Sequence, residues 1–447
     1  MKRSTSRWLA SLLALTLIAA GCGRDDDSSS DDSGGSSDSG SSESAGFINP
    51  ETDCDNYEPT KGITGDTILV GTVRPAEGPY SIYDTVTKGI EKYFDSANAK
   101  GGIKAGDGKT YKISLAKEND AYDPGRTPAA VKTLVEDQSI FAMVGQIGTE
   151  NNLAVRDYMN DNCIPSVALA TGSPEWGKAN EFPWFIGGLP SYALEAHAFL
   201  AWLEDQKPDA KIALLYQSDD FGKAYQGAIK KYIADSGTKM TLVGEQTYDP
   251  ASGQTTEGVT TQLAQTKADV FFVGIGGTPC PRTLTFIPAD WKPLTYVSIT
   301  CSGKTALSLA GGKDEGVYTA QALLDPGSTA DQANPKTQQF VTDGQAQGLS
   351  TTDLEGGIVS AGWGFAAFFA KALELSKTVD RATIMNTLWS MKDQSVGLLR
   401  DDVTVNTDGE KDPWLIESLR MVKREGGQWV EAGPMVDYNG QSNSFAG

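Results

Sequence analysis

Beginning at Thr67, segments with the composition of β-strands alternate with segments that have the periodicity of helices. The run 67–73 is rich in β-branched apolar residues, and in 83–97 the apolar residues recur at helical spacing until Gly101-Gly102 ends the helix. Further strands are predicted at 111–116, 140–145, 165–170, 211–216, 240–247, 269–274 and 294–299. Strands and helices that alternate at this spacing indicate parallel sheets with helices on both faces. The sequence therefore predicts an α/β fold.

The alternation occupies two stretches of chain that are separated near Pro183–Pro190. About 400 residues follow the N-terminal region, which is too many for one core and enough for two lobes. We expect the chain to return to the first lobe late, and strands near 403–405 and 419–423 to complete the second lobe. The predicted boundaries are 65–187 with 318–400 for the first lobe and 188–317 with 401–447 for the second.

The N-terminus has the features of an export signal. Lys2, Arg3 and Arg7 precede a short apolar run that ends in Ala19-Ala20-Gly21-Cys22, an arrangement typical of a secretory signal peptide and too short to span a bilayer. The end of the run resembles a bacterial lipobox, with Ala19 where leucine is usual. This predicts a signal peptide over 1–22 and a lipid on Cys22, which would place the protein outside the cytoplasmic membrane and anchor it there. An ordinary secreted protein with an unmodified cysteine is the alternative.

The segment 23–46 consists almost entirely of Asp, Ser and Gly, with seven acidic residues and one arginine. Such a segment cannot bury enough apolar surface to offset chain entropy, so we predict a disordered tether. The formal net charge of the chain is −20, and no basic cluster interrupts it. An acidic surface repels a phosphate backbone, which argues against nucleic-acid binding.

If Cys22 carries lipid, four cysteines remain, and in an oxidising compartment they suggest two disulfides with three possible pairings. We favour Cys54–Cys163 and Cys280–Cys301, one within each predicted lobe. No pair has CxxC spacing, and the chain has a single histidine. The sequence therefore predicts neither a metal site nor a cofactor.

Three features could suggest an enzyme, and each is weak. The run Gly274-Ile275-Gly276-Gly277 lacks the third glycine of a dinucleotide loop, and Gly311-Gly312-Lys313 lacks the spacing that precedes the lysine of a phosphate loop. His197 lies among apolar residues of a predicted helix, where packing is the more common role. Without it no nucleophilic triad can be assembled, so we predict that the protein is not an enzyme.

Short motifs follow one another in a specific order along the folded part: Val70-Gly71, Gly78-Pro79, Asn98 to Ile103, Asp120 to Pro124, Val144-Gly145 with Gly148-Thr149, Ala170 to Glu175, and Asp220-Phe221-Gly222. By these motifs the chain from about Gly65 to Val430 resembles the hydrophobic and branched-chain amino-acid binding family, the solute receptors of ABC importers. The resemblance implies two doubly wound lobes joined by a hinge, the type I periplasmic binding fold, with a small ligand in the cleft. The stretch 152–192 resembles a subgroup associated with aromatic or other apolar carboxylates.

The resemblance also implies ligand contacts in the first lobe. Thr149 matches a Ser or Thr at a helix start whose hydroxyl and backbone N–H hold the ligand carboxylate, and a helix N-terminus suits an anion. The alternative is that Thr149 only caps its own helix. Ala170, Thr171 and Gly172 fill the loop that supplies the next contact, a backbone carbonyl followed by a hydroxyl. Tyr83 matches an aromatic residue that lines the pocket around the ligand side chain.

In the second lobe, Phe221 matches another aromatic residue that contacts the ligand in the family. Two other positions depart from the family pattern. Gly276 and Gly277 stand where an aromatic residue is expected, and Thr300-Cys301-Ser302-Gly303 occupies the loop in which amino-acid binders carry a carboxylate. We retain Gly276 and Thr300 as candidate ligand contacts. Both departures argue against an α-amino acid as the ligand.

Three acidic residues bear on the charge of the ligand. Asp219 or Asp220 could supply the missing charge, although solvated loop acids are more common. Glu150, one residue after Thr149, would favour a cationic or neutral ligand if its side chain pointed into the cleft.

The resemblance implies a lipid-anchored receptor that binds a small apolar or aromatic carboxylate, or an amino acid, and docks on the permease subunits of an ABC importer. A membrane-tethered sensor for a signalling receptor is the alternative, and the sequence does not separate the two. A structural protein of the cell wall is a third possibility.

Overall fold

The computed structural model describes residues 46–54 and 56–447. The predicted signal peptide, the lipidation at Cys22 and the tether up to residue 45 lie outside the described residues. The helices of the described part are α1 (Pro50–Asp53), α2 (Asp84–Ala99), α3 (Thr127–Lys132), α4 (Thr149–Asp161), α5 (Tyr192–Gln206), α6 (Asp220–Asp235), α7 (Glu257–Ala264), α8 (Pro279–Thr283), α9 (Lys304–Leu307), α10 (Pro335–Ala346), α11 (Thr351–Glu355), α12 (Ile358–Leu375) and α13 (Arg381–Leu388).

The first lobe is built on a seven-stranded sheet. Its strands are β1 (Ile63–Thr64), β2 (Thr67–Arg74), β3 (Ile103–Lys104), β4 (Thr110–Asn119), β5 (Ala142–Val144), β6 (Ser166–Leu169) and β7 (Phe185–Gly187). The order is β3-β4-β2-β5-β6-β7, with β1 paired to β2. The strands β4, β2, β5, β6 and β7 are mutually parallel, and only the two-residue strands β1 and β3 are antiparallel to their neighbours.

The second lobe contains an eight-stranded sheet. Its strands are β8 (Lys211–Gln217), β9 (Thr241–Tyr248), β10 (Val270–Gly274), β11 (Leu294–Val297), β12 (Tyr318–Gln321), β13 (Ser418–Glu425), β14 (Gln428–Glu431) and β15 (Val436–Asp437). The order is β14-β13-β12-β11-β10-β8-β9, with β15 paired to β13. The strands from β8 to β12 are parallel, and the three C-terminal strands add an antiparallel edge.

Both sheets have the same strand order. In each, the five parallel strands follow the order 2-1-3-4-5, so the direction of winding reverses between β2 and β5 in the first sheet and between β8 and β10 in the second. Open α/β sheets bind ligands beyond the carboxyl ends of the strands at such a reversal. The predicted α/β fold with two doubly wound lobes is confirmed, and the two reversal points mark where a site belongs.

Three differences between the structure and the predicted elements concern the lobes and their parallel strands. Strand β12 lies inside the range predicted for the first lobe, but it pairs with β11 and β13 in the second sheet because its buried residues continue that sheet. At 403–405 there is no strand of the second sheet: Val403 and Val405 are buried in a loop, and Val405 makes one isolated bridge with Gln394. Strand β7 was not predicted, since three residues carry too little pattern. The remaining lobe boundaries stay a prediction.

Helix α12 returns the chain to the first lobe, where it packs against α2. It is long and apolar enough to cross a membrane, with a mean hydropathy of 1.3, but 78% of its length is buried inside the protein. Two glycines permit the close approach of these helices: a Cβ at Gly89 would overlap the carbonyl of Val359, and one at Gly362 would overlap the carbonyl of Val86. The helix is therefore a core element.

Two disulfides join the four cysteines of the described part. Cys54 is bonded to Cys163, and Cys280 is bonded to Cys301. This is the pairing favoured from the sequence among the three that are possible. The second bond links the segment that follows β10 to the segment that follows β11, so it fastens two neighbouring loops at the carboxyl edge of the second sheet.

The close contact between α2 and α12 predicts opposite effects for two glycines of one helix. Gly362→Ala should lower the free energy of unfolding by about 1–3 kcal/mol, because the added methyl group meets backbone. Gly364→Ala should leave the free energy of unfolding unchanged or raise it by up to about 1 kcal/mol. No atom of the described part of the chain outside the helix's own backbone lies within 4 Å of the added carbon, and alanine favours a helix. Urea unfolding of both variants measures the difference, and equal effects would contradict this account of the packing.

Candidate functional site

A cavity of about 150 Å³ lies where the carboxyl ends of the two sheets face each other. Its lining comes from both lobes, and it includes segments that follow β2 and β5 in the first sheet and β8 and β10 in the second. The reversal points of both sheets therefore meet at one cavity. Of the residues predicted as ligand contacts, six line it: Tyr83, Thr149, Ala170, Phe221, Gly276 and Thr300.

Thr149 is the first residue of α4, and it is 2% exposed. The turn before the helix is made by Gly148, whose φ of 97° suits glycine. No side chain of the described residues caps this N-terminus, so its first N–H groups and the positive end of the helix dipole are available to an anion. The Thr149 hydroxyl lies 2.7 Å from the hydroxyl of Thr171, and this hydrogen bond fixes its position.

The loop after β6 contributes less surface than the sequence suggests. Ala170 lines the cavity, whereas Thr171 and Gly172 do not. Thr171 is fully buried and contacts the Thr149 hydroxyl from behind. Gly172 accepts a hydrogen bond from the backbone N–H of Tyr192 at 2.7 Å, and a Cβ at Gly172 would overlap the carbonyl of Pro190. The structure thus places these two residues behind the site, as its support.

Tyr83 connects the two lobes across the cavity. Its hydroxyl donates to the backbone carbonyl of Thr300 at 3.2 Å and accepts from the backbone N–H of Gly277 at 2.7 Å. A Cβ at Gly277 would lie 2.9 Å from the ring of Tyr80. The two glycines where an aromatic residue is expected therefore leave room for tyrosines that reach across from the first lobe.

Four further aromatic residues line the cavity and were not singled out from the sequence: Tyr122, Tyr192, Phe365 and Trp429. Tyr122 stacks on Tyr80 with ring centroids 4.0 Å apart, and Tyr192 packs edge-on against Phe221 at 4.9 Å. Tyr122 has a φ of 65°, an unfavourable backbone conformation for a bulky side chain. Tyr122 lies within a motif that carries the family resemblance, and Tyr192 ends the stretch that resembles a subgroup, so the sequence held a signal for both.

Two of the acidic residues considered from the sequence, Glu150 and Asp219, accept hydrogen bonds at the start of α6 in the second lobe. Glu150 does not line the cavity; its Oε1 accepts a hydrogen bond from the backbone N–H of Asp220 at 2.6 Å, at the start of α6. Burial raises the pKa of Glu150. Asp219 caps the same helix by accepting from the N–H of Gly222 at 3.3 Å and also accepts from Gln217. Neither Asp219 nor Asp220 lines the cavity, so neither replaces the expected charge there.

A buried carboxylate holds the loop that carries Thr300. Glu195, on α5, is inaccessible to solvent and accepts hydrogen bonds from the Tyr225 hydroxyl at 2.7 Å, the Tyr296 hydroxyl at 2.8 Å and the Ile299 N–H at 2.7 Å. Burial raises the pKa of Glu195 to about 7, against the lowering effect of its three donors. This network couples α5 to the segment after β11.

The segments considered as enzyme motifs have structural roles. The ring of His197 stacks on Phe445 with centroids 3.8 Å apart, and burial lowers the pKa of the imidazole. The glycines after β10 accommodate Tyr80 and Tyr83. In the Gly311-Gly312-Lys313 segment, both glycines have a positive φ and form a turn after a short helical segment.

Comparison with known proteins identifies similar folds and sequences. The sequence profile of a family described as periplasmic binding protein matches residues 67–422. A Leu/Ile/Val-binding protein homolog 2 of Brucella abortus is 24% identical over 195 residues, which are 40% of this chain and 48% of that relative. The chain thus spans about half the length of the curated relatives it matches.

Two solved structures share the fold at low sequence identity. A branched-chain amino acid ABC transporter protein from Thermus thermophilus with bound valine has a TM-score of 0.73 and 17% identity, over 84% of this chain and 97% of that one. A solute-binding protein from R. palustris in complex with 4-hydroxybenzoate has a TM-score of 0.68 and 17% identity, over 83% and 97% of the two chains.

The raised pKa of Glu195 predicts a stability that depends on pH. A carboxyl group whose folded pKa is about 7, against an ordinary 4.5, stabilises the fold fully below pH 4.5 and loses that contribution as the pH rises through 7. Glu195→Gln keeps the acceptor without a charge to bury. Its free energy of unfolding, relative to the unchanged protein, should therefore rise between pH 4.5 and 7, by up to about 1.4 kcal/mol per pH unit.

Urea unfolding between pH 4.5 and 8 measures this difference, with the exposed Glu181→Gln as the matched control. A difference that stays constant over the whole range would show that Glu195 does not titrate as inferred.

Proposed function

Because the chain belongs to the periplasmic binding protein family, we propose that it is an extracytoplasmic solute-binding protein. It binds a small apolar or aromatic carboxylate, or an amino acid, in the cavity between its lobes. The observation that carries this proposal is the position of Thr149. The uncapped N-terminus of α4 opens on a cavity that residues of the second lobe also line.

The ligand carboxylate is held by the start of α4. A helix of 13 residues presents unpaired N–H groups and a partial positive charge at its N-terminus, which together favour an anion. The Thr149 hydroxyl adds a donor when it accepts a hydrogen bond from the Thr171 hydroxyl, because its own proton is then directed to the ligand. Glu150 points to the backbone of Asp220, so its charge is directed away from this position.

The apolar part of the ligand lies between aromatic rings. Tyr83, Tyr122, Tyr192 and Phe221 line the cavity, and a pocket of this kind takes its affinity from apolar contact and its orientation from a few polar groups. The bound valine and 4-hydroxybenzoate of the two similar structures support the same chemical class, a small carboxylate with an apolar body.

Closure of the lobes accompanies binding in this proposal. Contacts across the cleft, such as Tyr83 with Gly277 and Glu150 with Asp220, are single hydrogen bonds, each with a net value of about 1 kcal/mol. A ligand that touches both lobes adds to them only in the closed state and so shifts the population toward it. The closed form then docks on the permease subunits of an ABC importer.

A thermal-shift and calorimetric screen tests the site. Valine, leucine, benzoate, 4-hydroxybenzoate and octanoate are compared with their methyl esters, and a ligand at 100 times its Kd should stabilise the protein by about 2.7 kcal/mol.

Thr149→Ala should weaken carboxylate binding at least tenfold, because a donor to the anion is lost, whereas Thr149→Ser should keep most of the affinity. Acids and esters that bind equally well would refute the carboxylate site.

We further propose that a lipid on Cys22 anchors the protein to the membrane, because Cys22 directly follows the small residues that end a short apolar run. In its host, the unchanged protein should be recovered with membranes and the Cys22→Ser variant in the soluble fraction.

Uptake of the labelled ligand should fall in cells that lack the gene. Unchanged uptake with an altered transcriptional response would favour the sensor instead of the importer.

A further inference from the structure

The cavity has polar groups on a second side, where strand β12 ends. Gln321 is the last residue of β12, and Asp325 follows in the next loop. Both residues line the cavity. Neither was singled out from the sequence, and neither has a part in the recognition of the ligand carboxylate.

Gln321 carries an unpaired acceptor. The side chain is 9% exposed, and its Oε1 is buried without a hydrogen-bond partner among the described residues. A buried amide oxygen without a donor is unfavourable, and native structures rarely leave one so. Because the side chain lines the cavity, a donor on a bound molecule is positioned to satisfy it.

Asp325 is held in place by a buried ion pair. Its backbone N–H donates to Oδ2 of Asp331 at 2.8 Å, and Asp331 accepts two hydrogen bonds from Arg400 at 3.0 and 2.7 Å. Oδ1 of Asp325 accepts a hydrogen bond from the backbone N–H of Gly327 at 2.9 Å. Within the described residues, no donor reaches Oδ2 of Asp325, so this oxygen is a second acceptor on a fixed support.

The cations near Asp325 have partners of their own. Lys304 also lines the cavity, but its Nζ pairs with Oε2 of Glu355 at 2.8 Å. Arg424 pairs with Asp314 at 3.2 Å. Burial raises the pKa of Asp325, against the lowering effect of its Gly327 hydrogen bond and these two cations. This side of the cavity is therefore rich in acceptors.

The strand order separates this side from Thr149. Glu150, next to Thr149, contacts the start of α6, which follows β8. Gln321 ends β12, and the intervening strands are β10 and β11. Three strand spacings of 4.7–4.9 Å correspond to roughly 14 Å across the sheet edge. The acceptors therefore face the end of the ligand opposite its carboxylate.

We propose that the ligand carries a second polar group, a hydrogen-bond donor at the end remote from its carboxylate, which Gln321 and Asp325 recognise. A protonated amine or a hydroxyl has this chemistry, and the carboxylate of Asp325 favours the amine. The inference rests on the proposed function, because it assumes that the carboxylate lies at Thr149. It narrows the ligand class to ω-amino or ω-hydroxy acids with an apolar spacer.

Calorimetry with three matched series tests the proposal on the full chain: plain alkanoates, ω-hydroxyalkanoates and ω-aminoalkanoates of 4–10 carbons. The best ω-amino acid should bind at least tenfold more tightly than the alkanoate of equal length. Asp325→Asn should reduce the preference for the amine to within twofold, with a larger loss in binding of the amine than of the alkanoate. Gln321→Met should reduce the preference for both the amine and the hydroxyl.

The exposed Asp290→Asn, which changes the net charge equally, is the matched control and should keep the full preference. Equal binding of the three series by the unchanged protein would overturn this inference and leave the carboxylate site standing. If no series binds, the inference fails, and the proposed function fails with it only if valine, leucine, benzoate and 4-hydroxybenzoate also do not bind. Equal losses for all three series in the Gln321 and Asp325 variants would also overturn the inference.

Discussion

Parallel strands bring all their carboxyl ends to one edge of a sheet, and this constraint determines where everything else in the molecule lies. Each lobe winds in the order 2-1-3-4-5, so each has one point at which neighbouring crossovers diverge and leave a crevice. The two crevices face each other. Thr149, Phe221 and Gly276 are far apart in sequence, yet they line one cavity because each follows a strand next to a reversal point.

The two sides of the cavity are supported differently. In the first lobe, polar groups are held through helix starts and short loops, as in the contact between Thr149 and Thr171. In the second, the fully buried Glu195 gathers three donors behind the segment that carries Thr300. A buried carboxylate is costly unless its hydrogen bonds are satisfied, and its three donors also fix the backbone at the cavity surface.

Much of the fold could be predicted because strand and helix periodicities are strong in a doubly wound protein. The failures have physical causes. Strand β12 was assigned to the wrong lobe because four residues carry no information about the sheet they join. The predicted strand at 403–405 was wrong because buried valines pack equally well in a loop.

The candidate site was predicted less completely than the fold. Six predicted contact residues line the cavity, since a resemblance can locate positions that follow strands. Thr171 lies behind the surface, and Gln321 and Asp325 were missed, because which way a side chain points after a strand depends on tertiary packing. The roles of all these residues stay predictions until ligands are measured.

The disulfide between Cys280 and Cys301 determines when the surface of the cavity can be completed. It fastens the loops after β10 and β11, and these loops supply Gly276 and Thr300 to the cavity. A chain kept in a reducing cytoplasm would lack this fastening. In the function we propose, completion of the cavity is therefore tied to secretion, because this disulfide forms only after the chain has left the cytoplasm.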